Sequence, residues 1–184
     1  DLGVEIAQQK VPLIQKEIVD KCIRAAKPVI IATQMMESMI ENSRPTRAEV
    51  NDVAKAVLDG ADAVMLSAET SIGKFPEKAV SIMSKIIEDV EQSKGVYYTG
   101  EKPHERSNTF LSDEICFTAV RMIDHINAQS IIGMTTSGYS AMKISSYRPK
   151  AHIFIFTHNL TLLNSLNLVW GVRGFYYDRY ESTD

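Results

Sequence analysis

The first half of the chain alternates helix-period segments with short apolar runs rich in β-branched residues, and this alternation restricts the folds it can adopt. Residues 28–33 and 63–66 are typical of strands covered on both faces. Helices are predicted at 11–26, from Thr46 and from Pro76. Strands and helices that alternate with short connections predict parallel βα units.

The helix predicted after Thr46 has a clear start and end in the sequence. Thr46 and Glu49 match a capping box, and Gly60 is typical of the residue that follows a helix. The predicted buried stripe of this helix consists of Val50, Val53, Ala54, Val57 and Leu58. The helix from Pro76 repeats the pattern with Ala79, Met83, Ile86, Ile87 and Val90. Each helix is therefore expected to pack one face on the predicted strands.

A polar stretch at residues 91–110 interrupts this periodicity, and we interpret it as a domain boundary. The predicted organisation is a first domain at 1–92, a linker at 93–110 and a second domain at 111–184. The second domain has its own elements, with helices predicted at 112–127, after Gly138 and at 160–168, and strands at 131–134, 152–156 and 172–177. It is expected to form a second, smaller α/β sheet.

The composition excludes several classes of partner. A formal net charge of -3, with no cluster of Lys and Arg, argues against a nucleic-acid-binding surface. No apolar run is long enough to cross a bilayer, and the start of the chain lacks a secretory apolar region. Cys22 and Cys116 are predicted to be small buried side chains in a reducing compartment. We expect a cytoplasmic protein with no nucleic-acid or membrane partner.

Polar side chains follow both predicted strands of the first half. Thr33 and Gln34 come directly after the first strand, and Ser67, Glu69 and Thr70 follow the second. Ligands gather at the carboxyl ends of parallel strands, because the βα loops emerge there. Hydroxyls and a carboxylate on one edge can bind a small anion and relay a proton. The same spacing fits the alternative that Thr33 and Ser67 only cap the helices that follow.

A second candidate site is the loop that joins the strand predicted at 131–134 to the next helix. A hydroxyl-rich, glycine-containing turn before a helix can bind phosphate, because free N–H groups, the helix dipole and side-chain donors converge there. The candidate residues are Thr135, Thr136, Ser137, Gly138 and Ser140. An ordinary helix cap is the alternative interpretation.

Four stretches of the sequence together resemble the pyruvate kinase family. They are Lys27–Met39 (Lys-Pro-Val-Ile-Ile-Ala-Thr-Gln-Met-Met-Glu-Ser-Met), Arg44–Val50, Asp52–Thr70 and the opening Asp-Leu-Gly-Val-Glu. The resemblance is continuous over residues 1–90 and looser up to Tyr177. It implies an α/β fold in which the final βα units of a TIM (β/α)8 barrel precede a smaller α/β C-terminal domain.

The resemblance also implies an activity and a set of site residues. The family transfers a phosphoryl group from phosphoenolpyruvate to ADP in glycolysis, giving pyruvate and ATP, and uses Mg²⁺ (or Mn²⁺) and K⁺. By resemblance, Asp1 is a magnesium ligand and the N–H groups beside it bind substrate. Thr33 is implied to bind the substrate carboxylate, and Ser67 and Glu69 to deliver a proton. Arg47 is implied to reach across a subunit interface of a homotetramer.

The same resemblance implies a regulatory site and sets a limit on activity. The loop at 135–140 is implied to bind the phosphate of an allosteric effector, either a sugar phosphate or a nucleotide. The family's catalytic lysine, its second magnesium ligand and its K⁺ site lie upstream of Asp1. We therefore expect this chain to be inactive in isolation. The alternative is a non-catalytic module that binds a phosphorylated metabolite or mediates oligomerisation.

Overall fold

The computed structural model describes residues 2–32, 35–93, 95–97, 100 and 102–179. The chain divides into two compact units, Asp1–Val96 and Tyr97–Asp184. The division falls within the polar stretch noted in the sequence, while the domain limits at 92 and 111 stay predictions.

The first unit has the alternating order that the sequence predicts. Its elements are α1 (Leu2–Glu5), α2 (Val11–Arg24), β1 (Ile30–Ala32), α3 (Arg47–Leu58), β2 (Ala63–Met65), α4 (Ala68–Ser71) and α5 (Pro76–Glu91). Two 3₁₀ helices, Gln8–Lys10 and Glu37–Ile40, lie in the connections. These 3₁₀ helices and α4 were not predicted from the sequence, because segments of three or four residues carry too little periodicity to be recognised.

Strands β1 and β2 pair in parallel, with Ile30 opposite Ala63 and Ala32 opposite Met65. The prediction that both strands are covered on both faces is wrong for this chain, because Ile30 is 43% and Met65 41% exposed. In the described part of the chain these two strands form a sheet by themselves, so residues on its outer side have no second layer to pack on.

The core of the first unit lies where α3 and α5 pack beside the strands. Met36, Met39, Val53 and Ala79 are fully buried there, and Val53 and Ala79 belong to the predicted stripes of the two helices. Leu58 departs from its predicted stripe, since it is 48% exposed at the end of α3. Gly60 follows that end with φ +95°, a conformation that favours glycine.

The predicted capping box at the start of α3 is confirmed. Glu49 N donates to Thr46 Oγ1 at 3.3 Å, and Thr46 N donates to the Glu49 carboxylate at 2.6 Å. Ser38 also donates to this carboxylate, through its N–H at 2.7 Å and its hydroxyl at 2.5 Å. Burial alone would raise the pKa of Glu49, but the hydrogen bonds from Ser38 and Thr46 outweigh it and lower the pKa below 4.5.

The second unit is a three-stranded parallel α/β sheet. Its elements are α6 (Phe110–Ile126), β3 (Ser130–Met134), α7 (Tyr139–Ser146), β4 (His152–Thr157), α8 (Leu160–Leu166) and β5 (Val172–Tyr176). The strand order β3-β4-β5 follows the chain, and both pairs are parallel. The chain alternates strand and helix here as well, and parallel strands require such crossovers.

Central strand β4 supplies two of the fully buried residues of the second unit. Ile153 and Ile155 are fully buried beneath α7 and α8, and Phe117 of α6 packs edge-on against Tyr147, with ring centroids 5.4 Å apart. Cys116 is buried as predicted, whereas Cys22 is only half-buried. Burial, followed by the nearby charge of Asp113, raises the pKa of the Cys116 thiol.

Across the described residues, no helix combines the length and the apolar character needed to cross a membrane.

The Glu49 hydrogen bonds make a pH-dependent contribution to stability that can be measured. A carboxyl whose pKa is lower in the folded state than in the unfolded state stabilises the protein at pH values above the unfolded pKa. This stabilisation is lost as the pH falls through the folded-state pKa. Glu49→Gln should therefore lower the free energy of unfolding by about 1–2 kcal/mol at pH 7. In urea titrations the difference from wild type should shrink as pH falls below 4.5. The exposed Glu88→Gln serves as control; an equal loss at pH 7 and pH 3 would contradict the assignment.

Candidate functional site at the strand ends

The first candidate site lies at the carboxyl ends of β1 and β2. These ends coincide, because Ala32 and Met65, the last residues of the two strands, are directly paired. Ser67 follows Met65 by two residues, so it emerges at the shared rim. Thr33 and Gln34, directly after β1, and Asp1 lie outside the described residues. The geometry of this rim therefore rests on Ser67, Glu69 and the loops that carry them.

Ser67 presents an exposed side chain at the rim. It occupies the N-cap position of α4, yet its side chain makes no capping hydrogen bond. Its φ and ψ of -123° and -99° lie away from the extended conformation usual for a capping residue. The spacing left open whether Ser67 takes part in a site or only caps the following helix. The structure shows no capping hydrogen bond from its hydroxyl.

Glu69 ties the two βα loops together. Its side chain is almost completely buried, at 3% exposure. One carboxylate oxygen, Oε1, accepts a hydrogen bond from Met36 N at 3.2 Å, and the other, Oε2, accepts one from Ser67 N at 2.8 Å. Met36 belongs to the loop after β1 and Ser67 to the loop after β2. A single carboxylate therefore accepts backbone hydrogen bonds from both loops, a buried one from Met36 and a partly buried one from Ser67, which fixes their spacing.

Further contacts hold the same two loops against each other. Lys74 N donates to Ile40 O at 2.8 Å, and the Lys74 ammonium forms an ion pair with Glu41. A Cβ atom added at Gly73 would lie 2.4 Å from the Glu69 carbonyl oxygen, so only glycine fits this close backbone approach. The loop after β2 thus folds back tightly just beyond Glu69.

Arg47 lies on a different element from Ser67 and Glu69. It is the first residue of α3, and its side chain is exposed. A cation at a helix N-terminus is locally unfavourable, because it meets the positive end of the helix dipole. The helix itself therefore gives no reason for an arginine at this position.

The second candidate site lies at the carboxyl ends of the strands in the second unit. A pocket of about 110 Å³ is lined by residues 134–136, residues 156–158 and Tyr177. These residues come from the ends of β3, β4 and β5 and from the positions just beyond them. The pocket wall combines threonine hydroxyls, an imidazole and aromatic rings. It also includes two of the residues predicted for a phosphate loop, Thr135 and Thr136.

The predicted phosphate loop forms a compact turn before α7. Gly138 N donates to Thr135 Oγ1 at 2.9 Å, and Tyr139 N donates to Ser137 Oγ at 3.3 Å. Gly138 has φ +83°, and a Cβ atom there would lie 2.4 Å from Leu162 Cδ1. Glycine is therefore required at this turn, while the hydroxyls of the loop are used to orient it.

Asn159 is a site residue that the sequence analysis did not identify. Its side-chain oxygen accepts from Leu162 N at 3.1 Å and caps α8, while its side-chain nitrogen donates to Thr136 O at 3.3 Å. Asn159 thus joins the loop after β4 to the loop after β3. An asparagine just before the predicted helix at Leu160 was the available signal, because asparagine is a preferred N-cap.

In the part of the chain that the structure describes, no group of three or more His, Cys, Asp and Glu side chains could hold a metal ion. Both oxygens of Glu69 already accept backbone hydrogen bonds. The described residues therefore do not offer a donor set for Mg²⁺, and Asp1 lies outside them.

Two parallel βα units with a common polar rim, followed by a separate parallel α/β unit, define an α/β protein with two parallel α/β units. Family models bear this out. Residues 1–80 match the model described as "Pyruvate kinase, barrel domain", and residues 113–184 match "Pyruvate kinase, alpha/beta domain".

Similar proteins carry the same name. The chain is 44% identical over 173 residues to Pyruvate kinase 2 of Synechocystis, and 42% identical over 186 residues to a pyruvate kinase of Clostridium acetobutylicum. A crystal structure of a pyruvate kinase from Cryptosporidium parvum matches 98% of the chain with a TM-score of 0.87 and 38% identity. The chain belongs to the pyruvate kinase family. It spans 29% and 39% of the lengths of the first two relatives and 37% of the crystallised chain.

The role of Glu69 in holding the loops can be measured directly. In Glu69→Gln the side-chain oxygen replaces only one of the two carboxylate oxygens, so either the Met36 N–H or the Ser67 N–H loses its acceptor. We expect faster hydrogen exchange at the amides of Met36 and Ser67 and a loss of about 1–3 kcal/mol in unfolding free energy. The exposed Glu37→Gln is the matched control. Unchanged exchange at both amides would show that the carboxylate does not hold the loops.

Proposed function

We propose that the protein transfers a phosphoryl group from phosphoenolpyruvate to ADP, giving pyruvate and ATP in glycolysis, and that this chain supplies one rim of the catalytic site. The observation that carries the proposal is the paired end of β1 and β2, with Ser67 at the shared rim, in a chain of the pyruvate kinase family. Ligands of barrel enzymes bind at this end of the strands, which supports the assignment.

Ser67 is the described residue best suited to a direct part in the reaction. Its hydroxyl is exposed at the rim and is not used to cap α4, so it can form a hydrogen bond to substrate or pass on a proton. Glu69, with one backbone N–H on each oxygen, acts by keeping Ser67 in place. Thr33 and Asp1 lie outside the described residues. We assign Thr33 to binding of the substrate carboxylate, and Asp1 to binding of substrate and Mg²⁺.

Mg²⁺ or Mn²⁺ would supply positive charge that offsets the negative charge of the transferred phosphoryl group. The described residues lack a donor set, so Mg²⁺ or Mn²⁺ would need further ligands beside Asp1. For K⁺ no residue of this chain is assigned. Glu69 fixes the Ser67 hydroxyl at the rim, and the position of this hydroxyl does not depend on a bound metal.

A regulatory role for the second unit is the second candidate function. The pocket at the ends of β3, β4 and β5 favours it, because hydroxyls and the N-terminus of α7 converge beside a cavity. We assign the loop residues Thr135, Thr136, Ser137, Gly138 and Ser140 to the phosphate of a sugar-phosphate or nucleotide effector. If the chain does not take part in catalysis, this loop is the basis of a phosphorylated-metabolite-binding module.

Arg47 is assigned to an interface between subunits of a homotetramer in the cytoplasm. Its exposed guanidinium at the positive end of α3 is disfavoured by about 0.3–1 kcal/mol relative to a neutral residue. An anionic or carbonyl partner supplied by a neighbouring subunit would compensate for this cost.

The catalytic proposal is tested by a coupled assay with phosphoenolpyruvate and ADP. The full-length protein should be active and require Mg²⁺, and the 184-residue chain should show no turnover. Sustained turnover by the chain alone would contradict the proposal that groups outside it complete the site.

The role of Ser67 is tested in the same assay on the full-length protein. Ser67→Ala should reduce kcat by about 100-fold, because a positioned proton-transfer group contributes at least that factor. Its melting temperature should not change, since the Ser67 hydroxyl caps nothing. The exposed Ser81→Ala on α5 is the control. A Ser67→Ala kcat within twofold of wild type would remove Ser67 from the mechanism.

A further inference from the structure

Asp113 is a buried carboxylate that the proposed function does not use. It lies in the first turn of α6 and is only 6% exposed. A buried charge is costly unless hydrogen bonds and an opposite charge compensate for it. Its partners therefore indicate why an acidic residue is present at this position.

Three side chains surround the Asp113 carboxylate. The Tyr139 hydroxyl donates a short hydrogen bond to Oδ1, and the Thr109 hydroxyl donates to Oδ2 at 3.0 Å. Lys143 Nζ lies 3.5 Å from Oδ2, and its side chain is only 14% exposed. Tyr139 and Lys143 are one turn apart on α7, so Asp113 fastens the start of α7 to the start of α6.

Tyr139 also lies within the predicted phosphate loop, at the first residue of α7. It follows Gly138 directly, and its backbone N–H donates to Ser137 of the loop. Tyr139 thus contributes its hydroxyl to the hydrogen bond with Asp113 and its backbone N–H to the turn. Packing of Gly138 on Leu162 limits the turn from the side of α8, and the Asp113–Tyr139 hydrogen bond limits it from the side of α6.

A carboxylate beside an anion-binding loop has two opposing effects. Its negative charge repels a phosphate, although Lys143 at 3.5 Å offsets much of that charge. Its hydrogen bond holds Tyr139, and a preorganised loop binds a ligand more tightly because less freedom is lost on binding. The anchoring effect is expected to dominate, since the repulsion is largely neutralised and the hydrogen bond to a charged acceptor is strong.

We propose that Asp113 is a positioning residue for the phosphate loop: by holding Tyr139 it keeps residues 135–140 in the conformation that binds an anionic effector. The inference rests on the proposed effector site. It adds a residue from α6, far from the loop in sequence, and makes this helix part of the site's support.

The test compares variants that separate anchoring from charge in the full-length protein. Binding of glucose 6-phosphate, with inorganic phosphate as a second probe, is measured by calorimetry for wild type, Tyr139→Phe and Asp113→Asn. Tyr139→Phe removes the hydroxyl and leaves every charge in place, so anchoring predicts an affinity about tenfold weaker. Asp113→Asn removes the repulsive charge as well as the ionic acceptor, and anchoring again predicts weaker binding. Unchanged binding by Tyr139→Phe, or tighter binding by Asp113→Asn, overturns the proposal.

Two controls separate positioning from damage to the fold and from failure of the effector site itself. Tyr176→Phe, on an exposed tyrosine of β5, should bind like wild type, and Tyr139→Phe should keep its melting temperature within a few degrees. If wild type binds neither probe, the effector site is wrong, and hydrogen exchange then decides the anchoring. Faster exchange across residues 135–140 in Tyr139→Phe supports it, and unchanged exchange refutes it.

Discussion

The carboxylate of Glu69 is the interaction on which the rim of the first unit depends. Parallel pairing aligns the ends of β1 and β2, but it does not determine the paths of the loops beyond them. The loop after β1 has a buried backbone N–H at Met36, and the loop after β2 has a partly buried one at Ser67. An unsatisfied buried donor costs about 1–3 kcal/mol. A carboxylate has two acceptor oxygens and no donor, so Glu69 can serve both Met36 and Ser67. The position of the Ser67 hydroxyl follows from these two hydrogen bonds.

The second unit holds its loops by a related arrangement with different side chains. Asn159 joins the loop after β4 to the carbonyl of Thr136, and Asp113 holds Tyr139 where α7 begins. In both units a polar side chain from a helix start crosses to the neighbouring loop. The strands and the packed helices supply the rigid base, and one or two hydrogen bonds between loops then determine where the exposed hydroxyls lie.

The helices and strands were predicted more completely from the sequence than the roles of the site residues. The strands and the longer helices were found from periodicity, whereas α4 and the 3₁₀ helices were not. The capping box at Thr46 and Glu49 was correct because its signal is local. Ser67 and Glu69 were identified as rim residues from their position after a strand. Their separate roles were not identified from the sequence. The burial of Glu69 and its hydrogen bond to Met36, 33 residues away in sequence, depend on how the two loops pack. Asp113 was missed because an acidic residue in a first helical turn is ordinary.

By itself, the sequence determined the order of helices and strands, the parallel class of both sheets and the family, because these depend on local patterns and on long stretches of matching residues. Tertiary structure alone decided which polar side chains are buried as anchors and which remain exposed for chemistry. The physical reason is that a hydrogen bond across two loops depends on distances between residues remote in the chain, and no local pattern encodes such distances. Glu69 and Ser67, two residues apart in sequence, end in opposite environments for that reason.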